Sequence, residues 1–172
     1  MVFDRSSINV GRTIQDFGLG DLSGVYRNTA KLRAKGWLII VFFDASFSGY
    51  SNVIDALKMW NSSLPADKVT ILGVGIGKRE DLVQFAAANS VNFPLVWDYD
   101  DYVAATWSVS ALPTIYLMDA GGRVLARLTG ANDADLAEAK AEIETGIAKA
   151  AEKAATEKAA ADAAATPAVA RT

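Results

Sequence analysis

The sequence contains no cysteine and no histidine. The first absence excludes disulfides, thiol catalysis and thiolate metal sites. The second removes the commonest general base and the commonest metal ligand, and with them any Ser–His pair. Charge of one sign is scarce too. Seventeen Lys and Arg stand against 20 Asp and Glu, for a net charge of −3 and an isoelectric point near 5.0. That balance carries no electrostatic footprint for nucleic acid and no polybasic patch for a membrane surface. Long apolar runs are missing as well. WLIIVFF at residues 37–43 is far too short to cross a bilayer. The opening MVFDRSSINVGRT lacks the apolar core of a signal peptide. The expectation is a chain with no membrane span, cytoplasmic as written, although an exported mature form fits equally well.

What is present is ordinary for a globular protein: 51% hydrophobic and 22% charged residues. The length suits one domain with an appendage. Residues 1–36 read as irregular with short strand pieces, since TIQDFGL alternates and Gly18, Gly20 and Gly24 mark turns. AKLRAKG reads as a helical turn ending at Gly36. The run at 37–43 has the pattern of a central strand buried on both faces. Val53, Leu57 and Trp60 then recur at helical spacing until Pro65. KVTILGVGI predicts a second buried strand, REDLVQFAAANS an amphipathic helix, FPLVWD a short strand and DDYVAATW a short helix capped by Asp100 or Asp101. LPTIYLMDAGGRVLARLTG predicts a hairpin about Gly121-Gly122 that adds an antiparallel edge, and Asn132 or Asp133 caps a long helix. Alternating strands and helices of this kind form a largely parallel α/β sheet.

Composition shifts near residue 148. AKAAEKAATEKAAADAAATPAVART offers no large apolar side chain between Ile147 and Val169. The division is therefore a domain at 1–147 and an Ala/Glu/Lys-rich tail at 148–172, helical and fraying toward Pro167, or partly disordered. A solvated extension is the simpler reading; a docking helix for a partner is the sharper one. Trp60, Trp97 and Trp107 read as core or pocket-lining residues. GVGIGK at 73–78 lacks phosphate-loop spacing and reads as a strand end. Asp98, Asp100 and Asp101 could hold a hard cation, but helix capping explains them more simply. No metal and no cofactor are expected.

Several ordered segments together resemble the thioredoxin-like superfamily. VGRTIQDFGLGDLSG is similar to the opening of its redoxin branch, and GWLIIVFFDASFSGYSNVIDAL to its strand–active-site–helix segment. FPLVWDYDDYVAATWSVSALPTIYLMDAGGRVLARLTG resembles its second half, with the Pro-Thr turn and the Gly-containing hairpin. The resemblance covers about residues 10–147, and its relatives are the TlpA/ResA-like thiol–disulfide oxidoreductases and the AhpC/TSA peroxiredoxins. It implies a thioredoxin-like fold, a central mixed β-sheet flanked by helices, with a C-terminal Ala-rich helical extension. It also places Pro113 at the family's cis-proline, in a turn that faces the active-site loop and offers backbone groups to an extended peptide.

The same resemblance puts the redox cysteines at Ser48 and Ser51. A serine hydroxyl titrates far above neutral pH and forms no disulfide, so the positions are inert as written. The neighbours depart as well: the motif Trp is Phe47, the frequent Pro is Tyr50, and the common Glu three residues beyond is Ile54. Exchanging two cysteines would not alter these supporting residues, which points to a natural lineage that lost the chemistry. The expected function is a redox-inactive protein that binds a protein partner, as an accessory or extrinsic subunit of a larger assembly. Its contact residues would be Phe47, Gly49, Tyr50, Leu112, Pro113 and Thr114. The alternative is a thiol–disulfide oxidoreductase or peroxiredoxin-like enzyme carrying serine at both cysteine positions, since Cys-Gly-Tyr-Cys is an acceptable redox motif. No nucleic acid, membrane or metal partner is expected.

Overall fold

The computed structural model describes residues 9–47 and 49–165. Its centre is β3 (Trp37–Asp44), whose residues 38–43 are all fully buried. Side chains alternate across a strand, so Ile39, Val41 and Phe43 enter one core and Leu38, Ile40 and Phe42 the other. This double burial explains why the run is apolar without alternation.

Around β3 stand β4 (Val69–Ile76) and β5 (Leu95–Trp97) on one side, both parallel to it in direction. On the other side β6 (Thr114–Met118) and β7 (Val124–Thr129) run as the expected hairpin, with β6 antiparallel to β3. The order is β5-β4-β3-β6-β7. A separate ribbon, β1 (Gly18–Gly20) with β2 (Tyr26–Asn28), precedes the sheet. The helices α2 (Ser51–Ser63), α3 (Arg79–Ala88) and α5 (Asp133–Ala164) cover one face, through Ile54, Leu57, Leu82, Leu136 and Ile143. The short α1 (Thr29–Arg33) and α4 (Tyr102–Thr106) lie on the other, where Trp107 and Tyr116 fill the core. This is the mixed α/β sheet flanked by helices that the sequence implied. Gly73 and Gly75 lie inside β4 against Leu95 and Leu82, so GVGIGK is a packed strand end.

Two details refine the expectation. Asp101 occupies the N-cap position of α4, as expected, but in a left-handed conformation with φ 57° and with no side-chain cap bond; Asp100 Oδ1 accepts from the Tyr102 amide at 3.3 Å. That turn swings Asp98 beneath the helix, where its carboxylate accepts from the Val103 and Ala104 amides at 3.2 and 2.8 Å. Asp98 is buried, with both oxygens engaged. Among the described residues no group of three or more metal-ligating side chains comes together. The expected C-terminal helical extension is present, and it is continuous with the domain: α5 runs through the composition change near 148 to Ala164. Asn132 and Asp135 form a capping box that starts this helix, so its costly first turn is set inside the domain. Pro167 lies outside the described residues. No described helix is long and apolar enough to cross a membrane.

Ion pairs fasten the N-terminal segment. Arg33 grips Asp16 through two bonds of 3.2 and 2.8 Å and also donates to the Ala120 carbonyl at 2.6 Å. The Arg33 bond holds the Asp16 carboxyl below the usual range against the opposing effect of burial, with help from the Thr29 hydroxyl. Burial pushes Asp21 up, but Arg27 and the Val25 and Ser23 amides outweigh it and leave that carboxyl lowered too. A folded pKa below the unfolded one stabilises above the unfolded value, and the contribution is lost as pH falls through the folded one. Stability should therefore decline as pH drops below about 4. Asp16→Asn should cost about 1 kcal/mol at neutral pH and flatten that acid limb. Urea unfolding of both proteins at neutral and acidic pH reads the difference directly.

Candidate functional site

The site sits where β3 ends and α2 begins, at the carboxyl end of the parallel strands. Asp44 closes the strand and folds the turn. Its Oδ1 accepts from the Ser46 amide at 2.8 Å and from Ser46 Oγ at 2.7 Å, and its carbonyl accepts from the Phe47 amide at 3.2 Å. An Asp followed two residues later by Ser is a turn signal of this type, legible in FDAS but given no role in the sequence reading.

The aromatic pair in this loop is arranged in an unexpected order. Tyr50, taken from sequence as the exposed contact residue, is buried at 7% exposure. Phe47 is 56% exposed and lies against the Tyr50 ring, with centroids 5.0 Å apart. Burial raises the Tyr50 phenol pKa and the Asp44 charge adds to that, only partly offset by a backbone hydrogen bond at Asp44. Tyr50 is thus a neutral pedestal and Phe47 the exposed surface. Gly49 makes the arrangement possible: a Cβ there would stand 2.1 Å from Phe47 Cε1.

Ser51 is exposed and forms the first residue of α2. Amide groups at a helix start favour negative charge, which would assist a thiolate but does nothing for a hydroxyl that stays protonated. Ser48 lies outside the described residues. Ile54, one turn into the helix, is 1% exposed and packs in the core cluster with Val53 and Leu57. The resemblance implies a common acid at this position; here it is a core residue. Asn52 pins this end of α2 to the start of α5, donating to the Ala131 carbonyl at 3.3 Å and to Asp133 Oδ1 at 3.1 Å.

The Leu112–Pro113 bond is cis. Thr114 pairs with Phe42, so continuing the antiparallel register brings this turn beside the end of β3. The turn is less open than expected. Pro113 and Thr114 are buried and Leu112 half-buried. The Pro113 carbonyl accepts from the Gly130 amide at 3.0 Å, and the Ala111 carbonyl from Thr114 Oγ1 at 2.7 Å. Those two acceptors serve the chain itself, because a short turn leading into a buried strand must satisfy its own polar groups. Thr114 and Pro113 support the site; Leu112 borders it.

A second aromatic surface lies along the same edge and was missed in sequence. Trp97 ends β5, is half-buried, and donates from Nε1 to the Gly77 carbonyl at 2.8 Å. Gly77 itself, at φ 92°, follows β4 beside Asp44. Tyr99 is 66% exposed with its ring 5.9 Å from that of Trp97. Sequence spacing could not unite these residues with Phe47, since only the sheet order brings the three strand ends together. Trp60 and Trp107 are buried, as expected.

Comparison with known proteins follows the same lines. The AhpC/TSA family matches residues 10–127. The thiol-disulfide oxidoreductase ResA of Geobacillus kaustophilus (strain HTA426) is 31% identical over 131 residues, covering 74% of this chain and 73% of that protein. A crystal structure described as a thiol:disulfide interchange protein, DsbE, from Chlorobium tepidum superposes with a TM-score of 0.74. Its identity is 19%, over 81% of this chain and 98% of that one. Peroxidoxin BcpB from Mycobacterium tuberculosis gives a TM-score of 0.68 at 21% identity, over 81% of this chain and 96% of that one. At such identities the two structures speak for the thioredoxin-like fold.

The packing around Ile54 has a measurable consequence. Ile54→Glu would bury a carboxyl with no partner, raising its folded pKa above the usual value near 4.3. The penalty should then grow as pH rises through that value, reaching about 3 kcal/mol at neutral pH. Denaturant melts of the variant at pH 4 and pH 7 test this; equal, small losses at both would mean the loop still accommodates an acid.

Proposed function

The chain belongs to the AhpC/TSA family, within the redoxin branch of the thioredoxin-like fold, and from that premise we propose that it acts as a redox-inactive binding protein. The observation that carries this reading is Phe47. The position beside Ser48, where the resemblance puts a redox cysteine, holds an exposed aromatic ring that lies tilted against a buried Tyr50 and over Gly49. Exposing a large apolar side chain at a rigid position is costly in solution and is rewarded by burial against a partner. Chemistry supports the same reading, since no cysteine or histidine exists to move electrons or protons.

The ligand under this proposal is a protein segment. Phe47 supplies the anchor, Leu112 borders it on the cis-proline side, and Trp97 with Tyr99 extends the aromatic surface along the opposite side. Aromatic anchors of this kind dominate protein interfaces because they bury much area at small entropic cost. The partner's contribution is an apolar side chain that covers Phe47. Membership of a larger assembly, as an accessory or extrinsic subunit, follows the same logic of binding without turnover.

A second reading is favoured by the names of the relatives, which include thiol-disulfide oxidoreductase ResA. Under it, the active protein carries cysteine at positions 48 and 51, and serine stands in for both. Cysteine codons at those positions of the source gene would establish it and overturn the first reading.

With serine codons in the gene, insulin-reduction and peroxide-consumption assays should show background rates. Measurable turnover would refute the binding-only proposal. Photo-crosslinking from position 47 in source-cell extract should capture a discrete partner. Phe47→Ala should weaken its binding by about tenfold or more. Gly49→Ala should weaken it too, by displacing the Phe47 ring, while changing stability by only about 0.5 kcal/mol. Unaltered binding by both variants would remove this loop from the interface.

A further inference from the structure

Core contacts of α5 end early. Leu136, Ala139 and Ile143 are buried and Ile147 is half-buried, but residues 148–165 are exposed throughout. A long helix therefore projects from the domain with no surface of the described residues beneath it. Beside its first turns, between α2 and α5, lies an open groove of about 880 Å³ whose lining includes Ala56, Met59, Trp60, Leu136, Ala137 and Lys140. Met59 is 69% exposed there.

At about 3.6 residues per turn, the stripe of α5 that borders the groove can be followed outward. From Ala137 and Lys140 it passes through Glu144 and Ala151 to Lys158 and Asp162. This line is distinct from the buried one at Leu136, Ala139 and Ile143. It is small at its centre and charged toward both ends, with opposite order of sign.

We infer that the chain self-associates as a symmetric antiparallel pair through α5, with residues 148–165 of each copy lying along residues 137–154 of the other, so that the last turn of each arm reaches the edge of the α2/α5 groove. A two-fold axis at Ala151 sets Ala151 opposite itself. Moving outward, Glu144 meets Lys158 of the second copy and Lys140 meets Asp162 of the second copy, and the symmetry repeats both pairs. Lys140 and Glu144 already bond each other at 2.8 Å, so each end becomes a four-charge cluster. The register is specified against its neighbours. A slip of one turn in one direction sets Lys140 opposite Lys158, and in the other direction Glu144 opposite Asp162. A parallel pair would set each charge against its own copy. Alanine at the centre lets the axes approach closely, to about 8 Å.

The test uses the full chain, whose lack of cysteine makes single-cysteine crosslinking clean. Sedimentation across concentrations should reveal a dimer with a dissociation constant on the order of micromolar. Lys140→Glu should raise that constant by about tenfold, and adding Asp162→Lys should return it to within about threefold of the original. Under mild oxidation Ala151→Cys should yield a disulfide-linked dimer, whereas Lys153→Cys, on the far side of the helix, should not. A monomer at every concentration overturns the inference, including the case where α5 serves a different protein. So does a dimer indifferent to the charge swap, or crosslinking at 153 equal to that at 151.

Discussion

The constraint on which this structure depends is the burial of β3 on both faces. Its alternating side chains are shared between two cores, one roofed by α2, α3 and α5 and the other by α4 and the N-terminal segment. Each core needs the strand, and the strand is tolerated in a polar solvent only because both cores exist. Its pairing with β4 on one side and β6 on the other then decides which loops meet. The end of β3, the end of β4 and the cis-proline turn converge because their strands are in register, not because they are near in sequence.

The site inherits its character from that geometry. A loop leaving a fully buried strand must turn within a few residues, and Asp44 organises the turn through Ser46. The helix that follows packs inward at Ile54, which belongs to the core beneath the loop. What remains outward is Phe47 on its Tyr50 base. Gly49 gives Phe47 room, and the Phe47 ring lies against that of Tyr50.

Helix α5 shows how a compositional signal and a structural one can diverge. The change near residue 148 marks where the core ends, and the sequence displays it plainly. Backbone continuity is a separate matter. Alanine, glutamate and lysine have high helix propensity, and a helix already started by the Asn132–Asp135 box propagates without a new nucleus. The domain and its projecting arm are consequently joined by one continuous helix.

Sequence alone determined which residue types are absent, the unbroken apolar run that made β3 central, the hairpin about Gly121-Gly122 and the position of the redoxin loop. These are local or compositional properties: a residue's side chain, an apolar run, a turn residue. Tertiary structure decided which aromatic in FSGY faces solvent, which aspartate side chains bond the first amides of α4, and which carbonyls of the cis-proline turn are already engaged. Those outcomes depend on distant groups. Tyr50 is buried by the core beneath it, Asp98 by a left-handed turn that carries it under a helix, and the Pro113 carbonyl is engaged by Gly130. A sequence pattern records what a residue prefers. Only packing settles which of two adjacent residues obtains it.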